Sequence, residues 1–164
     1  MHTLHDKPVF PLLEIYKENY FDLIENVEIL SRCRASAITS QYKRKSYCFD
    51  ADGSKWSCTL DPVSYKVNPI KKILWYVGIN PIVAVIPVFS KLGNYELNEL
   101  KSVLKGCVDV DDDVITQFEE GHIIKEAIDK ASDFKAILTV FEKYIYDPDE
   151  EQIWKEQEER GMPE

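Results

Sequence analysis

Six acidic residues lie within one short stretch of the chain and have the greatest potential for chemistry: Asp109, Asp111, Asp112, Asp113, Glu119 and Glu120. Three of the aspartates and Glu120 match the spacing of the carboxylate ligands in a calcium-binding loop. The sixth position of such a loop requires a glycine for its sharp turn, and here it is Val114. We therefore predict no metal site in this stretch.

The same stretch has two other interpretations, which do not exclude each other. Aspartates are favoured in the first turn of a helix, because the helix dipole is positive there, and we predict a helix over residues 112–119. A dense row of carboxylates can also bind lysine and arginine side chains of another protein. We predict that these six acids contact a partner.

No set of residues in the sequence indicates catalysis or a cofactor. His122 is the only histidine outside the N-terminal segment, and it precedes an apolar run typical of a helix start. The six glycines are scattered singly, unlike the glycine-rich loops that bind phosphates. We expect neither enzymatic activity nor a bound cofactor. A small enzyme is kept as an alternative, and it requires a cleft in which His122 meets carboxylates or a cysteine.

The four cysteines, Cys33, Cys48, Cys58 and Cys107, show no Cys-x-x-Cys spacing. That spacing is typical of zinc sites and thioredoxin-like sites, so we expect neither. The N-terminus lacks the features of a signal peptide, and no apolar run reaches the roughly 20 residues needed to cross a bilayer. We therefore predict a cytoplasmic protein with free thiols and no membrane contact.

The net charge of −9 is unevenly distributed along the chain. Residues 1–82 contain 11 basic and 9 acidic residues, whereas residues 83–164 contain 9 basic and 20 acidic residues. Acidity of this density opposes binding to phosphates, so we expect no nucleic-acid partner. It favours a basic protein partner, or it serves solubility.

The elements that position these residues differ between the two halves of the chain. In the first half, apolar residues at helical spacing predict a helix over residues 12–24. Apolar, β-compatible runs predict strands over residues 27–34, 63–67 and 82–89, and Asn68-Pro69 predicts the start of a helix that ends at Gly78.

A β-hairpin is the clearest local prediction, because Asp52-Gly53 separates two runs of aromatic and β-branched residues. A two-residue turn at this point places Phe49 opposite Trp56. In that register Cys48 and Cys58 point to opposite faces of the sheet.

From Asn94 onward the spacing of apolar residues is helical, and further helices are predicted to begin near Asn94, Ile123 and Ser132. Strands followed by segregated helices indicate an α+β fold. We expect an antiparallel sheet with an Asp-Gly hairpin, an N-terminal helix and a helical C-terminal half. No linker rich in Gly, Pro or Ser interrupts the sequence, so we expect a single domain over residues 1–164. Residues 1–10 and 148–164 are candidates for loose ends, and the acidic tail is alternatively a lightly docked helix.

Size, acidity and layout resemble the small immunity proteins that bacteria encode beside polymorphic or contact-dependent growth-inhibition toxins. The resemblance consists of the hairpin segment Phe49-Asp50-Ala51-Asp52-Gly53-Ser54-Lys55-Trp56, followed by an acidic helical half from Tyr95 to Tyr146. It covers most of the chain and assigns a role to no single residue. It implies a protein that neutralises a cognate toxin. Many such toxins are nucleases with basic active sites, which an acidic protein can occlude.

A homo-oligomeric adaptor or regulator is a further alternative. In the predicted hairpin Tyr47, Phe49 and Trp56 share one face, which a homodimer could bury. A stable dimer would favour this alternative without excluding an immunity protein.

Overall fold

The computed structural model describes residues 7–16, 20–34, 46–62, 70, 82–111 and 113–161. These residues form an α+β fold in two compact units, Met1–Tyr95 and Glu96–Glu164. The boundary coincides with the change in charge, since the first unit contains 12 basic and 9 acidic residues and the second 8 basic and 20 acidic residues. The expectation of a single domain stays a prediction. The predicted strand over residues 63–67 lies outside the described residues, and of the predicted helix over residues 68–78 only residue 70 is described.

The N-terminal unit contains a six-stranded antiparallel sheet. Its strands are β1 (Leu12–Tyr16), β2 (Tyr20–Ile24), β3 (Arg32–Arg34), β4 (Ser46–Asp50), β5 (Ser54–Pro62) and β6 (Ile82–Asn94). They are arranged in the order β2-β1-β4-β5-β6-β3. A four-residue helix, α1 (Val27–Leu30), precedes β3, so the strand predicted over residues 27–34 is only partly correct. The Asn26 side chain starts this helix by accepting a hydrogen bond from the Ile29 amide (3.2 Å).

The predicted N-terminal helix over residues 12–24 is wrong. The segment forms the antiparallel pair β1–β2, in which Leu12 lies opposite Ile24 and Tyr16 opposite Tyr20. The same apolar residues that fit a helical period also fit an alternating one, and aromatic and β-branched residues favour the extended conformation. The rings of Tyr16 and Tyr20 stack across the pair with 5.8 Å between their centroids.

The Asp-Gly hairpin is confirmed, but its register differs by one residue from the prediction. Phe49 lies opposite Lys55 and Cys48 opposite Trp56, so the turn contains three residues rather than two. Gly53 adopts a φ of +79°, the left-handed conformation that closes three-residue hairpin loops. A shift of one residue changes which side chains share a face. Cys48, Trp56 and Cys58 therefore belong to one buried cluster.

Asp50 fixes this turn. Its carboxylate accepts hydrogen bonds from the amides of Asp52 (3.0 Å) and Ser54 (2.7 Å). It also accepts one from the indole N–H of Trp56 (2.8 Å) and a long one from the Val9 amide (3.4 Å). These donors explain how a carboxylate with 1% exposure is accommodated in the interior.

The sheet is buried on both faces near its centre. One face carries the cluster Leu12, Ile24, Leu30, Cys48, Trp56, Cys58, Leu60 and Val85. On the other face Phe49 is fully buried and meets the ring of Tyr95 edge-on, with 4.9 Å between the centroids. The Tyr95 hydroxyl donates a hydrogen bond to the Asp50 carbonyl (2.8 Å), which fixes the end of this unit to the hairpin.

The C-terminal unit is helical, as predicted. It contains α2 (Leu97–Asp109), α3 (Gly121–Lys130), α4 (Phe134–Phe141) continued by a π-helical segment (Glu142–Tyr146), and α5 (Glu150–Glu159). Apolar side chains at helical spacing form its core: Leu100, Leu104, Cys107, Ile124, Ile128, Phe134, Ile137, Phe141, Tyr144 and Ile153. The caps of α4 and α5 are Asp133 and Asp149, which accept hydrogen bonds from Ala136 and Gln152 amides.

Of the two alternatives for the C-terminal tail, a loose end or a lightly docked helix, the structure shows the helix, α5. Ile153 is its buried residue, whereas the neighbouring Trp154 is 65% exposed. Lys143 of the π-helical segment binds the Glu156 carboxylate at 3.1 Å. Among the described residues, no helix is both long enough and apolar enough to span a bilayer.

Candidate functional site

The described members of the predicted partner-binding set do not form a row on a helix. Asp109 ends α2, Glu120 directly precedes α3, and the other three lie in the irregular loop between these helices. The helix predicted over residues 112–119 is therefore wrong: residues 113–119 form a loop. Asp112 itself lies outside the described residues.

Asp111 explains why this loop is not a helix. Its carboxylate accepts hydrogen bonds from the amides of Val114 (3.2 Å), Ile115 (2.8 Å) and Thr116 (2.9 Å), and from the Thr116 hydroxyl (2.9 Å). Burial alone would raise the pKa of Asp111, but these hydrogen bonds outweigh it, and the pKa lies below its usual 3.8. A carboxylate with this many internal donors organises the loop and has little capacity left for a partner.

Two further acids are engaged within the unit. Asp109 lies 2.5 Å from the ammonium of Lys125, which links α2 to α3. Glu119 is enclosed, with no exposed side-chain surface, and its Oε2 atom lies 2.6 Å from Nη2 of Arg160. The Glu119–Arg160 pair therefore stabilises the fold of this unit, whereas the partly exposed Asp109–Lys125 pair contributes little.

Like Asp109, the acids Asp113 and Glu120 are exposed. Asp113 adopts a φ of +63°, which aspartate tolerates better than most residues. The Glu120 carboxylate, which is half exposed, lies 2.8 Å from Nδ1 of His122. His122 is itself exposed in the first turn of α3, as the sequence indicates for a residue that begins a helix.

A groove brings Glu120 together with residues that the sequence does not single out. It lies between the loop and α5 and has a volume of about 360 Å³. Its acidic side chains are Glu119, Glu120 and Glu150, and its aromatic side chains are Phe118 and the exposed Trp154. One wall is fixed by a hydrogen bond from the Gln157 amide group to the Phe118 carbonyl (3.1 Å).

The side chains that line this groove are suited to binding a cation. The exposed carboxylates of Glu120 and Glu150 can accept hydrogen bonds from an ammonium or guanidinium group. The indole of Trp154 offers the best aromatic face for a cation. In the sequence, the only indication of this groove is a single tryptophan inside an acidic tail. The sequence pattern does not show that Ile153 is buried and Trp154 exposed.

Among the described residues, one set of side chains lies close enough together to ligate a metal ion: Glu14, Cys48 and Cys58 of the N-terminal unit. The cysteines of the described side chains, Cys48, Cys58 and Cys107, are free and buried. Burial raises the pKa of Cys107 to about 11, so this thiol is protonated at neutral pH.

Compared with protein-family profiles, curated proteins and solved structures, the chain matches none of them.

Proposed function

We propose that this chain is a cytoplasmic immunity protein that binds a cognate toxin, a nuclease with a basic active site, and occludes that site. The observation that carries the proposal is the groove of the C-terminal unit, where two exposed carboxylates lie beside the exposed ring of Trp154. An arginine or lysine of the toxin enters this groove. The resemblance of the sequence to immunity proteins supports the same class of partner.

The charge of the unit supports the proposal beyond the groove itself. With 8 basic and 20 acidic residues, the unit produces a negative potential that attracts a basic surface and accelerates association. Exposed aromatic residues are enriched among the residues that contribute most to protein–protein binding. Trp154 therefore supplies the apolar anchor and the carboxylates supply the charge selectivity.

Of the six acids predicted from the sequence, Glu120 is the one that this proposal keeps as an exposed groove residue. Glu119 lines the groove, but its partner is Arg160, so it shapes the wall. Asp109 and Asp111 act within the fold, and Asp113 is exposed in the loop.

The test is co-expression with the protein encoded by the neighbouring gene, followed by co-purification and a titration of affinity at several salt concentrations. We expect a complex whose affinity falls with salt, because screening weakens exposed charge pairs. Glu150→Gln should weaken it. Glu151→Gln is the matched control, since Glu151 follows Glu150 on α5 and forms its ion pair with Lys155, also on α5. A neighbouring gene without a toxin-like product, or equal effects of the two substitutions, would overturn the proposal.

A homo-oligomeric adaptor is favoured by one separate observation in the N-terminal unit. Strand β6 exposes Ile82, Ile86, Val88 and Leu92. Exposed apolar surface of this kind is typical of a contact between proteins. The face predicted from Tyr47, Phe49 and Trp56 is not available, because Phe49 and Trp56 are buried within the chain. Light scattering tests this alternative: a dimer that Ile86→Lys converts to a monomer supports the adaptor, and a monomeric natural chain overturns it.

A further inference from the structure

Three side chains with metal-binding atoms meet on one face of the sheet. Glu14 lies on β1, Cys48 on β4 and Cys58 on β5, which are neighbouring strands. Glu14 and Cys48 are direct cross-strand partners. A carboxylate oxygen and the two sulfur atoms all lie within 4.8 Å of one another. Both cysteines are buried and Glu14 is partly buried.

These distances fit one metal ion. Three atoms within 4.8 Å of one another can all lie within about 2.8 Å of a common point, and zinc bonds measure about 2.3 Å to sulfur and 2.0–2.2 Å to oxygen. Small rotations of the side chains therefore suffice to complete the bonds. Two thiolates and a carboxylate are a donor set that suits zinc, and three protein ligands leave one position of a tetrahedron for water or a further donor.

A disulfide between Cys48 and Cys58 suits this geometry less well. Cys48 lies opposite Trp56 and Cys58 opposite Ser46, so the two cysteines are diagonal neighbours. Diagonal neighbours in an antiparallel pair have Cα atoms about 7–8 Å apart, whereas disulfides usually need 4.4–6.8 Å. A metal ion between the two sulfur atoms holds them farther apart than a direct S–S bond does, so the larger Cα separation is compatible with it.

The electrostatic surroundings also suit a cation. Asp22 lies opposite Glu14 on β2, and Tyr16 and Tyr20 form the next pair on the same face of these two strands. Among the described residues, no lysine, arginine or histidine forms an ion pair with Glu14 or Asp22.

We propose that Glu14, Cys48 and Cys58 form a binding site for a thiophilic divalent metal ion, with zinc as the fitting ion. The site joins three strands of the sheet and is independent of the groove in the C-terminal unit. Its ligands are separated by 33 and 9 intervening residues in the sequence. No short spacing motif therefore reveals it, and the search for Cys-x-x-Cys pairs misses it.

Cobalt(II) is the probe of choice, because a thiolate-bound tetrahedral cobalt ion gives charge-transfer and visible absorption bands. The full chain is prepared reduced, as a Cys33→Ser, Cys107→Ser double variant, so that Cys48 and Cys58 are its only thiols. We expect one equivalent of cobalt to bind with thiolate charge transfer and tetrahedral visible bands. Zinc should then displace it and abolish the bands.

Two substitutions in this background test the ligands. Cys58→Ser should abolish the charge-transfer band of a cobalt ion bound to two thiolates. Glu14→Gln should keep the charge-transfer band but weaken cobalt binding about tenfold or more. Circular dichroism establishes that each variant is folded. If Cys58→Ser does not fold, the proposal is decided by the number of cobalt equivalents that the double variant binds and by the titration of Glu14→Gln. The absence of charge-transfer bands in the folded background, or an affinity that Glu14→Gln leaves unchanged, overturns the proposal.

Discussion

The carboxylate of Glu119 is enclosed in the C-terminal unit and meets the guanidinium of Arg160 at 2.6 Å across 41 residues of sequence. The same carboxylate accepts a hydrogen bond from the Glu120 amide (2.9 Å). A carboxylate without exposed surface requires such partners, because burial of an unpaired charge is costly. The end of α5 is therefore fastened to the wall of the groove.

Replacement of Arg160 by methionine should destabilise the C-terminal unit by about 1–3 kcal/mol. The substitution leaves the Glu119 carboxylate buried without its cation, and the partial exposure of Arg160 reduces the loss below that of a fully buried pair. Lys155→Met is the control, since the exposed pair with Glu151 should contribute less than about 0.5 kcal/mol. Urea unfolding measures both. Equal losses would contradict a structural role for the Glu119–Arg160 pair.

Asp111→Asn should change how stability depends on pH. The hydrogen bonds lower the pKa of Asp111 in the folded state, so its ionised form stabilises the fold above the usual pKa of 3.8. This stabilisation is lost as the pH falls through the lowered value. The variant should be less stable by about 1–2 kcal/mol at neutral pH, and its stability should approach that of the natural chain as the pH falls through the lowered pKa of Asp111. Parallel stability curves over the acid range would contradict this origin.

Gly53→Ala and Gly106→Ala should have opposite effects. No atom lies within 4 Å of a Cβ built on either residue, so crowding does not decide. Gly53 has a φ of +79°, and alanine there should cost about 1 kcal/mol. Gly106 lies inside α2, where alanine should add about 0.5–1 kcal/mol. Thermal unfolding measures both, and a stabilising Gly53→Ala would contradict the three-residue turn.

Two adjacent residues of α5 should separate folding from binding. Ile153 is 2% exposed, so Ile153→Ala should cost about 2–4 kcal/mol of stability. Trp154→Ala should cost less than about 0.5 kcal/mol, because its side chain lies mostly in solvent. The same change should lower affinity for the proposed toxin about tenfold or more, as expected of an aromatic anchor. Unfolding curves and titration calorimetry give the two readouts. Full affinity of Trp154→Ala would remove the tryptophan from the proposed interface.

The sequence predicts the α+β class, the hairpin at Asp52-Gly53 and the strand that begins at residue 82, although not its continuation from residue 90 to Asn94, because turn chemistry and apolar runs are local signals. It does not predict the strands in residues 12–24, since the same apolar residues fit both the helical spacing and the alternating spacing of a strand. The contacts with other strands, such as Leu12 with Asp50 and Leu13 with Phe49, decide between the two, and such contacts lie far apart in sequence.

The candidate site is predictable in part for a related reason. Acidity identifies residues 109–120 as a feature of interest. The amino-acid composition, however, does not distinguish a carboxylate that is available to a partner from one that accepts hydrogen bonds within the fold. Asp111 is distinguished by donors within the next five residues, and Glu119 by an arginine 41 residues away. The groove with Trp154 arises only when α5 packs beside the loop.

The hydrogen bonds of Asp50 have a consequence for insertions and deletions. Surface hairpin loops usually tolerate changes of length. Here the carboxylate of Asp50 binds the amides two and four residues further on, those of Asp52 and Ser54, so a shortened loop that kept these bonds would shift β4 against β5 by a single position. Cys48 would then no longer share a face with Cys58. Variation in this turn should therefore preserve its length even where its residues change.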